Sequence, residues 1–321
     1  MKLSAAIEVF PLAQVFAISR GSRTEAQVVR VQLTDGEIKA HGECVPYARY
    51  GETCDSVVAQ LNAVRDPFDH GGLPEALTPG AARNALDCAL WDLAAKRAGT
   101  RVWELLNLAA PKPEITAYTL SLDAPDKMEV EARKHQHRPL LKTKLGGEGD
   151  VARIEAVRKG APNARIIVDA NEGWSPESYQ ELAPVLVKLG VEMVEQPLPA
   201  GADDALRDLD RVLPVCADES CHDRETLSDL HGKYDMINIK LDKTGGLTEA
   251  LALRDAGLAA NFQIMTGCMV GTSLGMAPAT LVAQGAAFTD LDGPLLMAKD
   301  RDHGLIYDEN GVHPPQAALW G

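Results

Sequence analysis

Three acidic residues in the second half of the chain each close a short apolar run. Asp169 ends IIVD, Glu195 ends VEMVE and Asp218 follows PVCA. A lysine closes a similar run on either side of them, Lys144 in LLKTK and Lys240 in MINIK. Carboxylate oxygens are hard ligands that suit Mg²⁺, and a lysine amine can act as a base when its pKa is lowered. The five residues therefore predict a metal site with a base on each flank.

The positions of these residues predict the elements that hold them. An apolar run that ends in a charged residue is typical of a buried parallel strand, and a (β/α)₈ barrel carries its functional residues at such strand ends. Helix-like stretches lie between the runs, one of them with Ser175 as N-cap, Pro176 as first residue and Gly190 at its close. The alternation predicts an α/β fold, a modified (β/α)₈ TIM barrel. Its eight strands are predicted at residues 116–122, 140–145, 165–169, 191–195, 213–217, 236–240, 262–266 and 289–292.

The first hundred residues have a different pattern. Alternation in residues 26–33, followed by the turn signal Asp35-Gly36, predicts an antiparallel hairpin. Apolar residues recur at helical spacing in residues 80–99 and predict a helix. We therefore predict an N-terminal α+β capping domain and a catalytic barrel. The predicted limits are 1–110 for the capping domain, completed by the tail 297–321, and 111–296 for the barrel.

The composition argues against several classes of protein. The chain has 321 residues, 45% of them hydrophobic, which allows one barrel and a smaller domain. A net charge of -14 argues against binding to nucleic acid or to an anionic membrane surface. No apolar stretch is long enough to cross a bilayer, and Glu8 and Pro11 interrupt the first segment before a signal-peptide core could form. Six cysteines without a CxxC pair suit the cytoplasm, and both a monomer and a homo-oligomer fit the sequence.

A further lysine, Lys142, lies two positions before Lys144 and so on the same face of the predicted strand. Crowding of like charges disfavours the ammonium form of Lys144 and so favours a base there. A metal ion beside them would neutralise the negative charge that appears when the carbon next to a substrate carboxylate loses its proton. Lys142 is expected to assist at the same carboxylate.

These motifs resemble those of the enolase superfamily, in its muconate-lactonising subgroup. The resemblance covers essentially the whole chain. It implies a capping domain over the barrel mouth, Mg²⁺ held by Asp169, Glu195 and Asp218, and Lys144 and Lys240 as alternating acid and base. The motifs are Lys-x-Lys at 142–144, Asp-x-Asn at 169–171, Glu-Gln-Pro at 195–197, Ala-Asp-Glu-Ser at 217–220, and Asn-Ile-Lys at 238–240 with Gly-Gly at 245–246.

The last predicted strand helps to choose among the reactions of this subgroup. Two facing lysines suit epimerisation, but cycloisomerases and dehydrating synthases of the subgroup keep both lysines. Asp290 and Asp292 lie two residues apart, so on a strand both carboxylates can point into the barrel mouth. The pair resembles the element with which dipeptide epimerases hold the ammonium group of the substrate. The alternative is an Asp that caps a turn before Gly293.

Further substrate contacts follow from the resemblance. The segment MTGCMVGTSLG resembles the epimerase loop, so we expect Cys268 and Val270 to line the dipeptide backbone, with Thr119 of the first strand. Its glycines could instead cradle a phosphate, although no Lys or Arg accompanies them. The loop ISRGSRTE supplies Arg20 and Arg23, and a guanidinium group suits a side-chain carboxylate. A solvated surface charge is the alternative for each arginine.

The sequence thus predicts a Mg²⁺-dependent epimerase of dipeptides that works through an ene-diolate intermediate. The resemblance implies L-Ala-D/L-Glu as the substrate, as in murein peptide recycling. Within the same class, a muconate-type cycloisomerase or an o-succinylbenzoate synthase is the alternative, although their substrates lack an ammonium group. From another class, the alternative is a non-catalytic binding protein on the same barrel, and the intact set of catalytic residues argues against it.

Overall fold

The computed structural model of the protein describes residues 1–65 and 69–321, in which a small antiparallel sheet precedes a barrel of parallel strands. The strands are β1 (Lys2–Ile18), β2 (Gly21–Asp35), β3 (Ile38–Cys44), β4 (Tyr118–Leu120), β5 (Leu140–Lys144), β6 (Arg165–Asp169), β7 (Val191–Glu195), β8 (Val215–Ala217), β9 (Met236–Ile239), β10 (Gln263–Gly267), β11 (Phe288–Asp290), β12 (Tyr307–Asp308) and β13 (Gly311–Val312). The helices are α1 (Cys54–Ala63), α2 (Leu73–Ala76), α3 (Ala81–Ala98), α4 (Val102–Leu105), α5 (Pro125–Lys134), α6 (Asp150–Gly160), α7 (Pro176–Lys188), α8 (Leu227–Leu230), α9 (Leu241–Thr244), α10 (Leu247–Ala259), α11 (Ser273–Met276) and α12 (Ala279–Val282). Short 3₁₀ helices cover Ala48–Tyr50, Asp204–Arg207, Arg224–Thr226 and Gly293–Leu296. Within the described ranges, no helix is both long and apolar enough to cross a membrane.

Strands β4 to β11 form the barrel, hydrogen-bonded in sequence order and parallel throughout. A parallel bridge between Thr116 and Thr289 joins the start of the barrel to its last strand, and Ala117 N donates to Thr289 O at 2.8 Å. The predicted modified TIM barrel is therefore confirmed. Its interior is a packed core rather than a pore, because successive strands each contribute a buried side chain. These side chains are Ala117, Leu140, Ile167, Met193, Cys216, Met236, Met265 and Phe288.

The alternation of strand and helix is interrupted once, between β7 and β8. This connection forms the 3₁₀ helix Asp204–Arg207 in place of an α-helix. Pro197, Pro199 and Gly201 all fall within it. Proline lacks the backbone donor of a helix interior and glycine has a low helix propensity, so the segment is poorly suited to an α-helix.

The capping domain is built on the sheet of β1, β2 and β3, against which α3 packs. The helix comes close to β3 because Gly42 has no side chain; a Cβ atom there would lie 2.1 Å from Ala85 O. The predicted hairpin is confirmed, since β2 and β3 pair across the Asp35-Gly36 turn. The predicted helix is also confirmed, and Gly99 ends it in the left-handed region at φ 66°.

Strand β1 was not predicted from the sequence. It pairs with β2 along almost its whole length, with an irregularity between Pro11 and Phe16. Many of its side chains are exposed, as in the edge strand of a sheet with one open face. The apolar alternation that marks a half-buried strand is therefore weak here, and Pro11 weakens it further.

The C-terminal tail returns to the capping domain. Met297 forms an antiparallel bridge with Leu12. Near the end of the chain, Trp320 Nε1 donates to Cys88 O of α3 at 2.9 Å. The tail thus lies against two elements of the first hundred residues, whereas the domain limits remain a prediction.

Candidate active site

The register of the parallel strands brings three predicted residues side by side at the barrel mouth. Lys144 ends β5, Asp169 ends β6 and Glu195 ends β7, and the pairing aligns the first with the second and the second with the third. Lys144 Nζ lies 2.6 Å from Asp169 Oδ2. Burial raises the pKa of the Asp169 carboxyl, but the ammonium groups of Lys144 and Lys142 outweigh it and lower the pKa to about 2. This carboxylate is therefore ionised where it meets the lysines.

Asp218 and Lys240 directly follow β8 and β9 and form a second pair. Lys240 Nζ lies 2.6 Å from Asp218 Oδ2. On the other side, Lys243 Nζ lies 2.6 Å from Asp218 Oδ1 and also donates to Asn238 O at 3.0 Å. Burial raises the pKa of Asp218, but the two ammonium groups outweigh it and hold the pKa well below its usual range. Conversely, burial lowers the pKa of Lys240, but Asp218 and Glu195 outweigh it and raise the pKa well above its usual value.

Each of the three carboxylates has one oxygen held by the protein framework and the other turned towards Lys142, Lys144 or Lys240. The held oxygens are Asp169 Oδ1 (from Asn171 N, 2.9 Å), Glu195 Oε1 (from Asn238 Nδ2, 2.7 Å) and Asp218 Oδ1 (from Lys243 Nζ, 2.6 Å). The other oxygens are Asp169 Oδ2 (Lys144 Nζ, 2.6 Å), Glu195 Oε2 (Lys142 Nζ, 2.5 Å) and Asp218 Oδ2 (Lys240 Nζ, 2.6 Å). The Glu195 contact is an ion pair without hydrogen-bond geometry. The carboxylates are thus fixed in orientation, with one oxygen each available to a cation.

This arrangement fits a hard divalent cation. Asp169 and Glu195 are fully buried, and Asp218 nearly so. Burial raises the pKa of Glu195, and the neighbouring Asp169 carboxylate raises it further, so the cluster favours additional positive charge. In the structure, lysine ammonium groups are the counter-ions of the three carboxylates. As they stand, no three acidic, histidine or cysteine side chains in residues 1–65 and 69–321 form a group that could hold a metal ion, so a metal ion here would replace ammonium groups as the counter-ion. Three oxygen ligands of this kind suit Mg²⁺, which keeps further positions for substrate and water.

The acidic pair of the last strand lies buried in the same mouth. Strand β11 ends at Asp290, and Asp292 precedes a 3₁₀ helix, so the prediction that both lie on one strand is wrong. The Gly-Pro sequence that follows begins this helical turn early. Asp290 Oδ2 lies 2.6 Å from Lys142 Nζ, so Asp290 already has a cationic partner. Asp292 is the N-cap residue of this helix, but its side chain makes no capping hydrogen bond. Its Oδ2 accepts from Thr119 N at 2.6 Å, and burial and Asp290 raise its pKa to about 7.

A pocket opens at the barrel mouth, beneath the capping domain. It brings together predicted residues from both parts of the chain. Those that line it are Lys144, Asp218, Lys240, Cys268, Val270, Arg20 and Arg23. The other predicted substrate contacts are buried side chains in the wall of the barrel mouth. They are Lys142, Thr119, Asp290 and Asp292.

The two arginines differ in their partners. Arg20 lies in the turn between β1 and β2, where Nη2 lies 2.7 Å from Glu219 Oε1 and Nη1 lies 3.1 Å from Glu172 Oε2. Arg23 lies on β2 opposite Phe16, and not in a loop as predicted. In the part of the chain that the structure describes, the Arg23 side chain has no hydrogen bond or ion pair. Its guanidinium group is therefore the one available to a ligand in the pocket.

Three further residues of the site were not predicted. Lys243 and Asn238 hold oxygens of proposed metal ligands, and Glu219 pairs with Arg20. Burial and the nearby Asp218 carboxylate raise the pKa of Glu219 to about 7. Asn238 lies two residues before Lys240, so the alternation of a strand could have placed both on one face. Lys243 follows Lys240 by three residues, which is one helical turn, but no apolar run marks it.

Two family models match the chain. The model of the mandelate racemase / muconate lactonizing enzyme N-terminal domain matches residues 4–107, and the model of the enolase C-terminal domain-like fold matches residues 127–317. The capped barrel and its strand-end carboxylates define a protein of the enolase type. The chain belongs to the enolase superfamily, in the mandelate racemase / muconate lactonizing enzyme family.

The chain is similar to isomerases over nearly its whole length. It is 46% identical to the L-Ala-D/L-Glu epimerase of Escherichia coli (strain K12) over 95% of this chain and 97% of that one. It is 43% identical to the N-acetyl-D-glutamate racemase of a Pseudoalteromonas species over 92% and 95%. An Agrobacterium tumefaciens enolase family member with homology to dipeptide epimerases, solved with sodium and L-Ala-L-Glu, superposes with a TM-score of 0.97 at 50% identity, covering 99% of both chains. A Cytophaga hutchinsonii dipeptide epimerase with Mg and D-Ala-L-Val superposes with a TM-score of 0.90 at 27% identity, covering 98% and 94%.

Proposed function

We propose that the protein is a magnesium-dependent epimerase of dipeptides that inverts the glutamate α-carbon of L-Ala-D/L-Glu. One observation carries the proposal: Lys144 and Lys240 line one pocket, each 2.6 Å from a carboxylate at a neighbouring strand end. The similar Escherichia coli protein is named for this reaction, and the similar Agrobacterium structure holds L-Ala-L-Glu. The muconate-type cycloisomerase and the o-succinylbenzoate synthase have no such support from these relatives.

The two lysines transfer the proton. One takes the α-proton of the glutamate residue, and the other returns a proton to the opposite face, so the configuration inverts. Lys144 stands on β5 and Lys240 directly after β9, with three strands between them in the barrel. The two amines therefore reach the substrate from different sides. In the structure, the amine nitrogens of the two lysines contact the Asp169 and Asp218 oxygens described above.

Asp169, Glu195 and Asp218 would hold the magnesium ion. Each presents one oxygen whose contacts are lysine ammonium groups. When bound, the ion supplies positive charge against the negative charge that develops on the substrate carboxylate as the α-proton leaves. Lys142 adds positive charge beside the proposed metal ligands, because its Nζ lies 2.5 Å from Glu195 Oε2 and 3.5 Å from Asp169 Oδ2.

The amino terminus of the dipeptide is assigned to Asp290 and Asp292. Both carboxylates are buried in the barrel mouth, and Thr119 fixes Asp292 through its backbone N–H. Cys268 and Val270 line the pocket beside the lysines and so contact the dipeptide backbone. These assignments place the ammonium group at one side of the barrel and the reacting carbon between the lysines.

The side-chain carboxylate of the glutamate residue is assigned to Arg23. The sequence left Arg20 and Arg23 as rivals, and both line the pocket. Arg20 is already paired with Glu219 and Glu172. A guanidinium group without a partner gains most from a new carboxylate, because its donors are not yet used. The contacts therefore favour Arg23.

A second candidate function is racemisation of an N-acylated glutamate. Asp290 is already paired with the Lys142 ammonium group, which weakens its attraction for a second cation. An N-acyl substrate has no ammonium group and would leave this contact intact. The similar Pseudoalteromonas protein is an N-acetyl-D-glutamate racemase.

Deuterium exchange separates the two candidates. The purified protein is incubated with Mg²⁺ in ²H₂O, and mass spectrometry follows deuterium gain at the α-carbon. We expect L-Ala-L-Glu to exchange with a far higher kcat/KM than N-acetyl-D-glutamate. The opposite preference would transfer the assignment to the second candidate, and no exchange with either substrate would contradict both.

A cytoplasmic location, a role in murein peptide recycling and assembly into a homo-oligomer belong to this proposal as predictions. The location is supported by the six free cysteines. The recycling role is supported by the substrate named for the Escherichia coli relative. Size-exclusion chromatography with light scattering would decide the oligomeric state.

A further inference from the structure

A carboxylate of the capping domain is inserted into the loop that follows β10. Glu43, in β3, is fully buried and far from the lysine pair in sequence. Its Oε1 accepts from Thr272 N at 2.8 Å, and its Oε2 accepts from the Thr272 hydroxyl. Thr272 is the N-cap of α11. A single side chain of one domain therefore fixes both the backbone and the side chain of a barrel residue.

The C-terminal tail completes this contact. Arg301 donates to Glu43 Oε2 from Nε at 2.9 Å and from Nη2 at 2.6 Å. The same Nε lies 2.7 Å from Thr272 Oγ1, and Nη2 lies 2.6 Å from Glu8 Oε2 of β1. Hydrogen bonds in which both partners are charged are the strong ones, and the low exposure of Glu43 limits competition from water. Glu43, Thr272 and Arg301 form what we call the loop clasp.

The loop has no spare room against the clasp. A Cβ atom on Gly271 would lie 2.9 Å from Val45 Cγ2 and 3.3 Å from Glu43 Oε1. A Cβ atom on Gly275 would lie 3.1 Å from Glu43 Oε1. The backbone on both sides of Thr272 therefore packs directly on the Glu43 carboxylate. A shift of that carboxylate must move this backbone.

The same loop forms a wall of the pocket. Cys268, Met269 and Val270 line the pocket together with both lysines, and Val270 is only two residues before Thr272. We propose that Glu43 and Arg301 are positioning residues for the substrate, which hold this wall at the distance that a dipeptide backbone requires. The inference rests on the proposed dipeptide reaction. Neither residue lines the pocket in the described part of the chain, so both act through the loop.

The test compares substitutions in the clasp with two controls. Glu43→Gln removes the charge that Arg301 binds, and Thr272→Val removes only the hydroxyl. Thr272→Ser restores the hydroxyl and is the rescue variant. Glu8→Gln removes a partner of Arg301 that does not touch the loop, and is the matched control. Thermal melting identifies the variants that fold. If Glu43→Gln does not fold, the comparison of Thr272→Val with Thr272→Ser tests the inference.

Three measurements are made on the full-length protein with Mg²⁺. The dissociation constant and KM for L-Ala-L-Glu should rise about tenfold in Glu43→Gln, as expected for one lost charge-assisted hydrogen bond, with a smaller change in kcat. Thr272→Val should show the same split, and Thr272→Ser and Glu8→Gln should remain within about twofold of wild type. Hydrogen exchange of the amides of residues 268–272 should accelerate in the first two variants only.

The outcomes separate this inference from the proposed function. Failure of the wild-type protein to act on L-Ala-L-Glu contradicts the proposed function, whereas the exchange of residues 268–272 still reports on the clasp. Folded Glu43→Gln or Thr272→Val protein with unchanged amide exchange and unchanged substrate affinity would overturn the inference. A loss in kcat alone, without a change in the affinity for the substrate, would also overturn the inference, because a displaced pocket wall must weaken substrate binding.

Discussion

Arg23 offers the sharpest test of how the pocket selects its substrate. Its guanidinium group lies on β2 in the same pocket as Lys144 and Lys240, without a partner in the described residues. We predict that Arg23→Met lowers kcat/KM for L-Ala-L-Glu but not for L-Ala-L-Gln. The two substrates have side chains of nearly equal size, so the comparison isolates the contribution of the carboxylate charge.

The size of the effect follows from the surroundings of Arg23. A hydrogen bond between charged groups contributes about 1.5–3 kcal/mol where water is excluded. Arg23 is half-buried, so screening places the contribution at the lower end, about 1.5 kcal/mol. This free energy corresponds to a loss of about tenfold in kcat/KM for the glutamate substrate. For the glutamine substrate we expect a change of less than about twofold.

Arg20→Met is the matched control. Arg20 holds Glu219 and Glu172, which belong to barrel loops, so its loss should disturb the pocket for both substrates alike. The assay is the rate of deuterium gain at the α-carbon, measured over a range of substrate concentrations. A selective loss of the glutamate substrate in Arg20→Met, or an equal loss of both substrates in Arg23→Met, would refute the assignment of the side-chain carboxylate to Arg23.

Three other predictions concern the reacting groups. Exhaustive chelation should abolish turnover, and Asp218→Asn should lower kcat about a hundredfold because a neutral amide replaces an anionic ligand; full activity after chelation would contradict the metal site. Lys144→Ala and Lys240→Ala should each stop epimerisation yet still exchange the α-proton of one stereoisomer in ²H₂O; exchange of both isomers at the wild-type rate would show that neither lysine is the base. N-acetyl-Ala-Glu should have a kcat/KM lower than that of Ala-Glu by orders of magnitude, since an unpaired buried charge costs up to about 3–5 kcal/mol. Asp292→Asn should narrow the difference in kcat/KM between the two substrates. Equal kcat/KM values for the two substrates would remove the ammonium assignment.

The strand-end residues could be predicted from the sequence for a local reason. A buried parallel strand is an apolar run, and its last residue must leave the core at the same edge as the last residues of its neighbours. Lys144, Asp169 and Glu195 follow this rule, and the register aligns them as expected. Helix α7 was also marked by local chemistry: the Ser175 side chain accepts from a backbone N–H of the first turn, as its N-cap position predicted.

The contacts between the two domains could not be predicted in this way. Glu43 is one acid in an ordinary strand, and nothing in its neighbours in sequence indicates that it meets Thr272 and Arg301. The spacing of Arg20 and Arg23 likewise does not show which of them finds carboxylate partners. These facts depend on how the capping domain sits on the barrel, whereas propensity and periodicity describe only the chain near each residue. The early end of β11 at Asp290, two residues before the predicted end, is a smaller error with a local cause: the Gly-Pro sequence begins a 3₁₀ helix there, so that Asp292 lies outside the strand.

The two lysines are held in different ways, and this has a consequence for the reaction. Lys144 lies within β5, where the ladder to β6 fixes its backbone. Lys240 lies beyond β9 and precedes the short helix α9, which the capping domain holds: Val45 N and Asn84 Nδ2 both donate to Asp242 Oδ1, at 3.0 and 2.8 Å. A strand paired with its neighbours resists displacement more than a single helical turn does. In the proposed reaction, one face of the substrate is therefore served by a base fixed within the barrel, and the other by a base whose position depends on the contact between the capping domain and the barrel.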